Sequence, residues 1–89
     1  MKAVISVIGQ DGVGIIAKVS NKCNDRNANI LDISQNVFDD TFAMIMVVDV
    51  SQINCEFASF AEEFELLGKE LGLVIHVTHS DLFNSMHRI

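Results

Sequence analysis

The chain has 89 residues, 49% of them apolar, and a formal net charge of −6 at pH 7. This length predicts one small domain spanning residues 1–89, with a free energy of unfolding near the low end of the usual range of roughly 5–15 kcal/mol. The acidic charge argues against nucleic acid or an anionic membrane surface as a partner, because both select for basic patches.

The first half of the chain shows a strand pattern, a helix pattern and a second strand pattern. Residues 3–8 are apolar on nearly both sides, which predicts a central strand. Residues 13–26 carry apolar side chains at helical spacing, and the asparagine-rich segment 24–29 is a stop signal, because Asn tolerates the left-handed conformation that ends helices. Residues 30–38 alternate between apolar and polar, which predicts an edge strand with one solvated face.

The second half begins with a predicted hairpin, because the Asp39-Asp40 pair separates residues 30–38 from a doubly apolar strand at residues 42–50. Apolar residues at helical spacing over 57–71 then predict a second helix, for which Ser51 or Asn54 is a candidate N-cap. Gly72 follows the last apolar position and is typical of a helix C-terminus.

Residues 73–78 form a fourth strand pattern, and residues 81–89 have apolar side chains on one side, which predicts a short docked helix. The predicted order is therefore βαββαβ. Right-handed crossovers place both helices on the same face of one four-stranded antiparallel sheet. We predict an α+β, ferredoxin-like sandwich with a short C-terminal helix.

The loop after the first strand, Gly9-Gln10-Asp11-Gly12-Val13-Gly14, lacks the residues that several ferredoxin-like proteins need. It has no cysteine pair for copper and no arginine to hold an acyl phosphate, which makes hydrolysis of acyl phosphates a weak alternative. The first strand has no aromatic residue to stack on RNA bases. Two cysteines are too few for an iron–sulfur cluster.

What the loop does offer is backbone at the start of a helix, where unpaired N–H groups and the positive end of the helix dipole attract anions. Gly12 and Gly14 would let a small carboxylate approach those N–H groups, and Asp11 could accept a hydrogen bond from an ammonium group. An amino acid carries both charges on one carbon. The loop therefore suits a small amino acid.

Two motifs resemble the ACT domain family: Asp11-Gly12-Val13-Gly14-Ile15 after the first strand, and Ala28-Asn29-Ile30-Leu31-Asp32-Ile33 at the second. The family pattern is Asp-Arg-Pro-Gly-Ile followed later by Gly/Ala-Asn-Ile, so Gly12 and Val13 stand where the family has Arg and Pro. The resemblance covers the whole chain in element order. The length and the ending resemble small, stand-alone bacterial and archaeal ACT proteins, a group whose function is uncharacterised.

The resemblance implies a regulatory module that binds a small effector, commonly an amino acid, between the first loop of one subunit and the second strand of its neighbour. One side of this ligand site would be lined by Asp11, Gly12, Val13, Gly14 and Ile15, and the other by Asn29, Ile30 and Leu31. We expect a homodimer or higher homo-oligomer and no enzymatic activity. As a stand-alone domain it would signal to a separate, unknown protein partner.

Two alternatives remain open at this stage. The loop could be only a tight turn in which Asp11 is the N-cap of the helix, and such a cap typically contributes about 1 kcal/mol. The whole protein could then be a purely structural dimerisation or interaction module without a ligand.

Phe42, Met44 and Met46 share one side of the third strand, where they could form an adaptable ligand surface or simply part of the core. We favour the core, with the helix-free face of the sheet as a subunit contact, because large apolar patches rarely stay bare.

The histidines and cysteines do not predict a metal or catalytic site. His76 and His79 are three residues apart in a strand, so they point to opposite faces. Cys23 and Cys55 lie in apolar-periodic segments, which favours packed thiols. Because the sequence has no signal-peptide pattern, we expect a reduced, cytoplasmic location.

Overall fold

A computed structural model describes residues 1–10 and 13–80, which form an antiparallel four-stranded sheet with two helices. The strands are β1 (Lys2–Gly9), β2 (Asn29–Phe38), β3 (Thr41–Asp49) and β4 (Val74–His79), and the helices are α1 (Ile15–Asp25) and α2 (Phe57–Leu71). The strand order β2-β3-β1-β4 places the two doubly apolar strands in the centre. The predicted ferredoxin-like βαββαβ fold is thus confirmed, while the predicted helix at 81–89 lies outside the described residues.

The core lies between the sheet and the helices. Alternate residues of the central strands point into it, and so do one face of α1 and one face of α2. Its most buried members are Ala3, Ile5 and Val7 of β1, Met44, Met46 and Val48 of β3, Val19 and Cys23 of α1, and Phe60 and Phe64 of α2. Met44 and Met46 are therefore core residues, as the more conservative interpretation held.

Both helices end in the left-handed conformation that the sequence predicts. Asn27 has φ 61° just beyond α1, and Gly72 has φ 72° at the end of α2. The predicted N-cap of α2 is wrong, because Glu56 occupies that position and makes no side-chain cap, although the helix begins at Phe57 as predicted. The Asn54 side chain instead donates to the carbonyl of Asp25 at 3.0 Å, tying the β3–α2 loop to the end of α1.

The strand pairing defines two ends of the sheet. Gly9 and Val37 both pair with Phe42 at what we call the loop end, where the chain leaves β1 for α1. Lys2 and Asn29 both pair with Asp49 at the opposite end, which we call the base end. β2 therefore starts at the base end, far from the β1–α1 loop.

Strand β2 is an edge strand, as predicted, but both of its faces are exposed. Ile33 and Val37 pair with Met46 and Phe42, so they lie on the helix side of the sheet, yet they are 39% and 68% exposed. The helices cover the central strands and leave this edge bare. Alternation in the sequence reports which side a residue faces, but not how far the helical layer extends.

The sheet face without helices, which we call the open face, alternates with the core positions along each strand. The row nearest the loop end that crosses all four strands is Val74, Ile8, Ala43 and Asn36, and the next row is His76, Ser6, Ile45 and Ser34. Ile8, Ile45 and Val74 are 51%, 43% and 56% exposed. The open face thus presents apolar side chains to water.

Candidate functional site

Among the residues that the structure describes, no side chain caps the start of α1. Gly14 is the N-cap, with φ 74° and ψ −2°. The helix ladder begins with the Lys18 N–H donating to the Gly14 carbonyl at 3.1 Å. The N–H groups of residues 15–17 precede that bond and have no acceptor within the helix.

This geometry corrects the capping hypothesis, in which Asp11 was the N-cap. The cap position belongs to Gly14, three residues later. A glycine suits it because φ 74° strains any residue with a Cβ. The space around Gly14 is open, since an added Cβ would meet nothing within 4 Å. Asp11 and Gly12 themselves lie outside the described residues, so their proposed contacts with a ligand stay a prediction.

A small cavity of about 120 Å³ lies beside this helix start, lined by Val13, Ile15, Lys18 and Leu71. Ile15 is buried in the core, whereas Val13 is 87% exposed. The first turn of α1 has no acidic residue that would compete with a bound anion for these N–H groups. The cavity is thus bordered by the first residue of a helix and by a lysine, and both a helix N-terminus and an ammonium group attract carboxylates.

Sequence reasoning missed Lys18, which is absent from the predicted ligand-binding residues. The signal was available in the spacing, because Lys18 lies four residues after Gly14 and therefore one turn above it. It supplies a cation near the loop in which Gly12 and Val13 replace the family's Arg and Pro.

The second predicted group, Asn29, Ile30 and Leu31, lies at the base end of the same chain, where β2 begins. The structure therefore does not bring it to the loop within one protomer. A bulge separates Ile30 from Asp32, so Leu31 is an extra residue in the ladder and is 46% exposed. Bulges redirect side chains at sheet edges, which makes Leu31 available to a neighbouring molecule.

A larger depression of about 240 Å³ lies between α2 and β4, lined in part by Glu65, Lys69 and His76. Its polar groups are solvated, and Glu65 and His76, 3.7 Å apart, are about half or more exposed. Water already satisfies such groups, so little is gained by replacing it with a ligand. We therefore place the candidate site at the start of α1, although its cavity is smaller.

The histidines of β4 and the buried cysteine do not form a further candidate site among the described residues. His76 pairs with Ser6 on the open face, whereas His79 lies on the helix side, 6.1 Å from the ring of Phe57. Among residues 1–10 and 13–80, no group of three His, Cys, Asp or Glu residues could hold a metal ion. Burial raises the pKa of the Cys23 thiol to about 11, which suppresses the reactive thiolate.

With the fold and this geometry established, residues 2–78 match the family model of the ACT domain. The chain belongs to the ACT domain family. A UPF0237 protein of Methanocaldococcus jannaschii is 51% identical over 88 residues, covering 99% of this chain and 98% of that protein. A solved ACT domain protein from Streptococcus pneumoniae is 41% identical, with a TM-score of 0.82 and 93% of each chain covered.

A solved structure described as a putative glycine cleavage system transcriptional repressor is also similar, at 26% identity and a TM-score of 0.72. The match covers 86% of this chain and 44% of that one. ACT domains are ligand-binding regulatory modules. Within the described residues, neither helix of this ACT domain is long and apolar enough to cross a membrane.

Proposed function

We propose that this ACT domain is a regulatory module that binds a small amino acid at the start of α1 and acts through subunit association. The observation that carries the proposal is the uncapped helix start at Gly14 beside a cavity of about 120 Å³. The ligand carboxylate would accept hydrogen bonds from the N–H groups of residues 15–17. Lys18 adds a positive charge, and Asp11 is the proposed acceptor for the ligand's ammonium group.

The size of the cavity restricts the ligand. Sites for drug-sized molecules measure about 300–1,000 Å³, whereas this cavity is about 120 Å³. Its apolar lining from Val13, Ile15 and Leu71 leaves room for a short aliphatic side chain. We therefore expect a small amino acid rather than an aromatic or long charged one.

A neighbouring copy would supply Asn29, Ile30 and Leu31. If the β2 edges of two copies pair antiparallel around a two-fold axis, the start of one β2 lies beside the end of the other. The end of β2 is at the loop end of the sheet, because Val37 and Gly9 share Phe42 as a partner. Antiparallel pairing would thus carry the two halves of the proposed site to the same end of the sheet.

The exposed edge supports this arrangement. Each residue of β2 except Ile30 is exposed, so ten residues of backbone and the side chains of Ile33 and Val37 are available to a second chain. Exposed apolar edge strands readily pair with another chain. A ligand that contacts both copies would favour the paired state, and a partner protein could read that change.

The similarity to a putative glycine cleavage system transcriptional repressor supports a regulatory rather than a catalytic role. We accordingly propose that the protein is not an enzyme. Cys23 and Cys55 are free thiols, which is compatible with the proposed reduced, cytoplasmic location.

The proposal is tested by calorimetry and thermal-shift screening against the common amino acids. A specific ligand at 100 times its dissociation constant should stabilise the protein by about 2.7 kcal/mol. Gly14→Ala should weaken the binding of that ligand at least tenfold, because the added Cβ occupies the space through which the carboxylate approaches the amides.

Gly72→Ala is the matched control. Gly72 has φ 72° and open space around it, as Gly14 has, but it lies at the end of α2. Each substitution should cost roughly 1–2 kcal/mol of stability through the left-handed conformation. Only Gly14→Ala should reduce ligand affinity, and an equal loss in both variants would contradict the proposed site.

The second candidate function is a structural association module without a ligand. The bare β2 edge and the apolar open face favour it, because both can associate without any small molecule. Stable oligomers with no thermal shift from any amino acid would support this alternative and reject ligand binding.

A further inference from the structure

Strand β4 is the second edge of the sheet, opposite β2. Among the described strands its partner is β1, with an unbroken register from Ile8 opposite Val74 to Ala3 opposite His79. Alternate residues of an edge strand direct their N–H and C=O groups away from the sheet. Proteins commonly protect such an edge with lysine, proline or a bulge, and β4, with the sequence VIHVTH, has none of these. The structure thus leaves an edge to which a further strand can add.

A groove lies beside this edge. It is the depression of about 240 Å³ between α2 and β4, and its lining residues are Glu65 and Lys69 of α2 together with Leu73, Val74, Ile75 and His76. Leu73 and Ile75 are buried, whereas Val74 is 56% exposed. A small molecule gains little in this solvated depression, but an extended peptide would also form main-chain hydrogen bonds with β4. Edge and groove together suit a strand whose alternate side chains enter the groove.

The charges beside the groove favour a basic segment. Glu65 is about half exposed, and its Oε1 lies 3.7 Å from Nδ1 of His76. The exposed Glu62 lies three residues earlier on α2, and the whole chain has a net charge of −6. Lys69 lies in the last turn of α2, where it complements the negative end of the helix dipole. A lysine or arginine of an added strand would lay its apolar stem along Ile75 and place its cation beside Glu65.

We propose that the β4 edge binds an extended, basic segment of a partner protein. The segment adds antiparallel to β4, which is the slightly more stable pairing, and places a lysine or arginine beside Glu65. The six residues of β4 span about 20 Å, so a segment of about seven residues covers the edge. β2 and β4 are opposite edges of the sheet. Binding at β4 therefore depends neither on β2 pairing nor on the amino-acid site at α1.

The probe is a fluorescent peptide of about seven residues in which valine and lysine alternate. It is titrated into the full chain at about 0.15 M salt and followed by anisotropy. We expect saturable binding, together with new protection of outward-facing β4 amides from hydrogen exchange. A peptide with the same side chains but N-methylated backbone nitrogens should bind roughly tenfold more weakly or worse, because it keeps the charge and loses the N–H donors.

Glu65→Lys tests the position of the charge, and Glu70→Lys is its matched control. Both residues are exposed on α2, and the change in net charge is the same, but Glu70 lines a groove on the α1 side of the helix. Glu65→Lys should weaken binding of the valine–lysine peptide roughly tenfold and allow a valine–glutamate peptide to bind, because attraction becomes repulsion. Glu70→Lys should leave the affinity within about twofold of the wild type.

Equal losses in Glu65→Lys and Glu70→Lys would mean that the peptide responds only to net charge, which overturns binding at β4. Undiminished binding of the N-methylated peptide does the same. So does an absence of binding, including the case in which residues 81–89 or a second copy already protect the outward-facing β4 amides without peptide. These measurements contain no amino-acid ligand, so their failure is distinct from a failure of the site at α1.

Discussion

Arg26, at the end of α1, donates two hydrogen bonds to a single carboxylate oxygen of Glu63 on α2, from Nε at 2.9 Å and from Nη2 at 2.6 Å. The Nζ of Lys22 lies 2.9 Å from the same oxygen. One carboxylate thus links two turns of α1 to the middle of α2. The hydrogen bond from Lys22, which has the larger effect, and the hydrogen bond from Arg26 hold the pKa of Glu63 below its ordinary value.

Replacing Glu63→Gln should lower the melting temperature at neutral pH, because the two cations lose their partner. A carboxyl whose pKa is lower in the folded than in the unfolded state stabilises the fold above the unfolded value, and this stabilisation is lost as the pH falls through the folded value. The difference in melting temperature between wild type and variant should therefore be complete above about pH 4.5 and shrink below it.

Circular dichroism melts over a pH series check this prediction. Glu62→Gln is the control, since it removes a neighbouring carboxylate for which no ion pair is recorded in the described part of the chain. A Glu63→Gln difference that persists unchanged into strong acid would show that the carboxylate charge is irrelevant.

Replacing Gly68→Ala should destabilise the protein, although alanine is the better helix former. A Cβ at position 68 would lie 2.9 Å from the carbonyl oxygen of Leu73 and 3.0 Å from Cγ1 of Ile75, so α2 would have to move away from β4. Overpacking costs about 1–3 kcal/mol, and the gain in helix propensity is only about 1 kcal/mol. We expect a net loss of about 1 kcal/mol in urea denaturation.

The matched control is Ser59→Ala on the exposed side of the same helix, which we expect to be neutral or slightly stabilising. Greater stability of Gly68→Ala than of the wild type would mean that the helix and strand are not in close contact at this point.

Thiol labelling should distinguish the two cysteines. Cys23 is fully buried beside Met46, and its pKa of about 11 leaves about one thiolate in a thousand at pH 8. Cys55 is only half-buried. A thiol reagent at pH 8 should modify one cysteine rapidly in the wild type and none rapidly in Cys55→Ser, whereas Cys23→Ser should retain the fast reaction.

Fast modification of Cys23 in the folded protein would contradict its place in the core. The reaction of both thiols after addition of denaturant confirms that the reagent itself is not limiting.

The β2 edge can be tested together with ligand binding. Ile33 lies near the middle of β2, so Ile33→Lys places two like charges close to the proposed two-fold axis, where they destabilise cross-strand pairing. We expect both a lower mass in sedimentation and weaker ligand binding, because the neighbour's half of the site is lost. Gly14→Ala should weaken binding without changing the mass of the unliganded protein.

Leu66→Lys serves as the control for an added charge, because Leu66 lies on α2 and is 49% exposed. Ligand binding that is unaffected in a monomeric Ile33→Lys variant would show that one chain forms the site alone, and the assignment of Asn29, Ile30 and Leu31 would then be wrong.

Most of the fold is readable from the sequence because it follows from local periodicity. Two doubly apolar strands, one alternating strand and two amphipathic helices define the βαββαβ order, and Gly72 terminates α2 as its position predicts. The N-caps could not be predicted in the same way. Ser51 and Asn54 are good capping residues by type, yet neither caps α2, because loop contacts that bind distant parts of the chain decide where each side chain points.

The sequence by itself determined the element order, the central strands, the core face of β3 and the presence of a glycine-rich turn before α1, because each of these depends on neighbouring residues. Only the tertiary structure decided that Gly14 is the N-cap and that Lys18 borders the cavity. It also decided that Asn29 lies at the opposite end of the sheet from Gly14. Those relationships depend on strand register and on how far the helices cover the sheet. Both are set by contacts between residues that are distant in the chain.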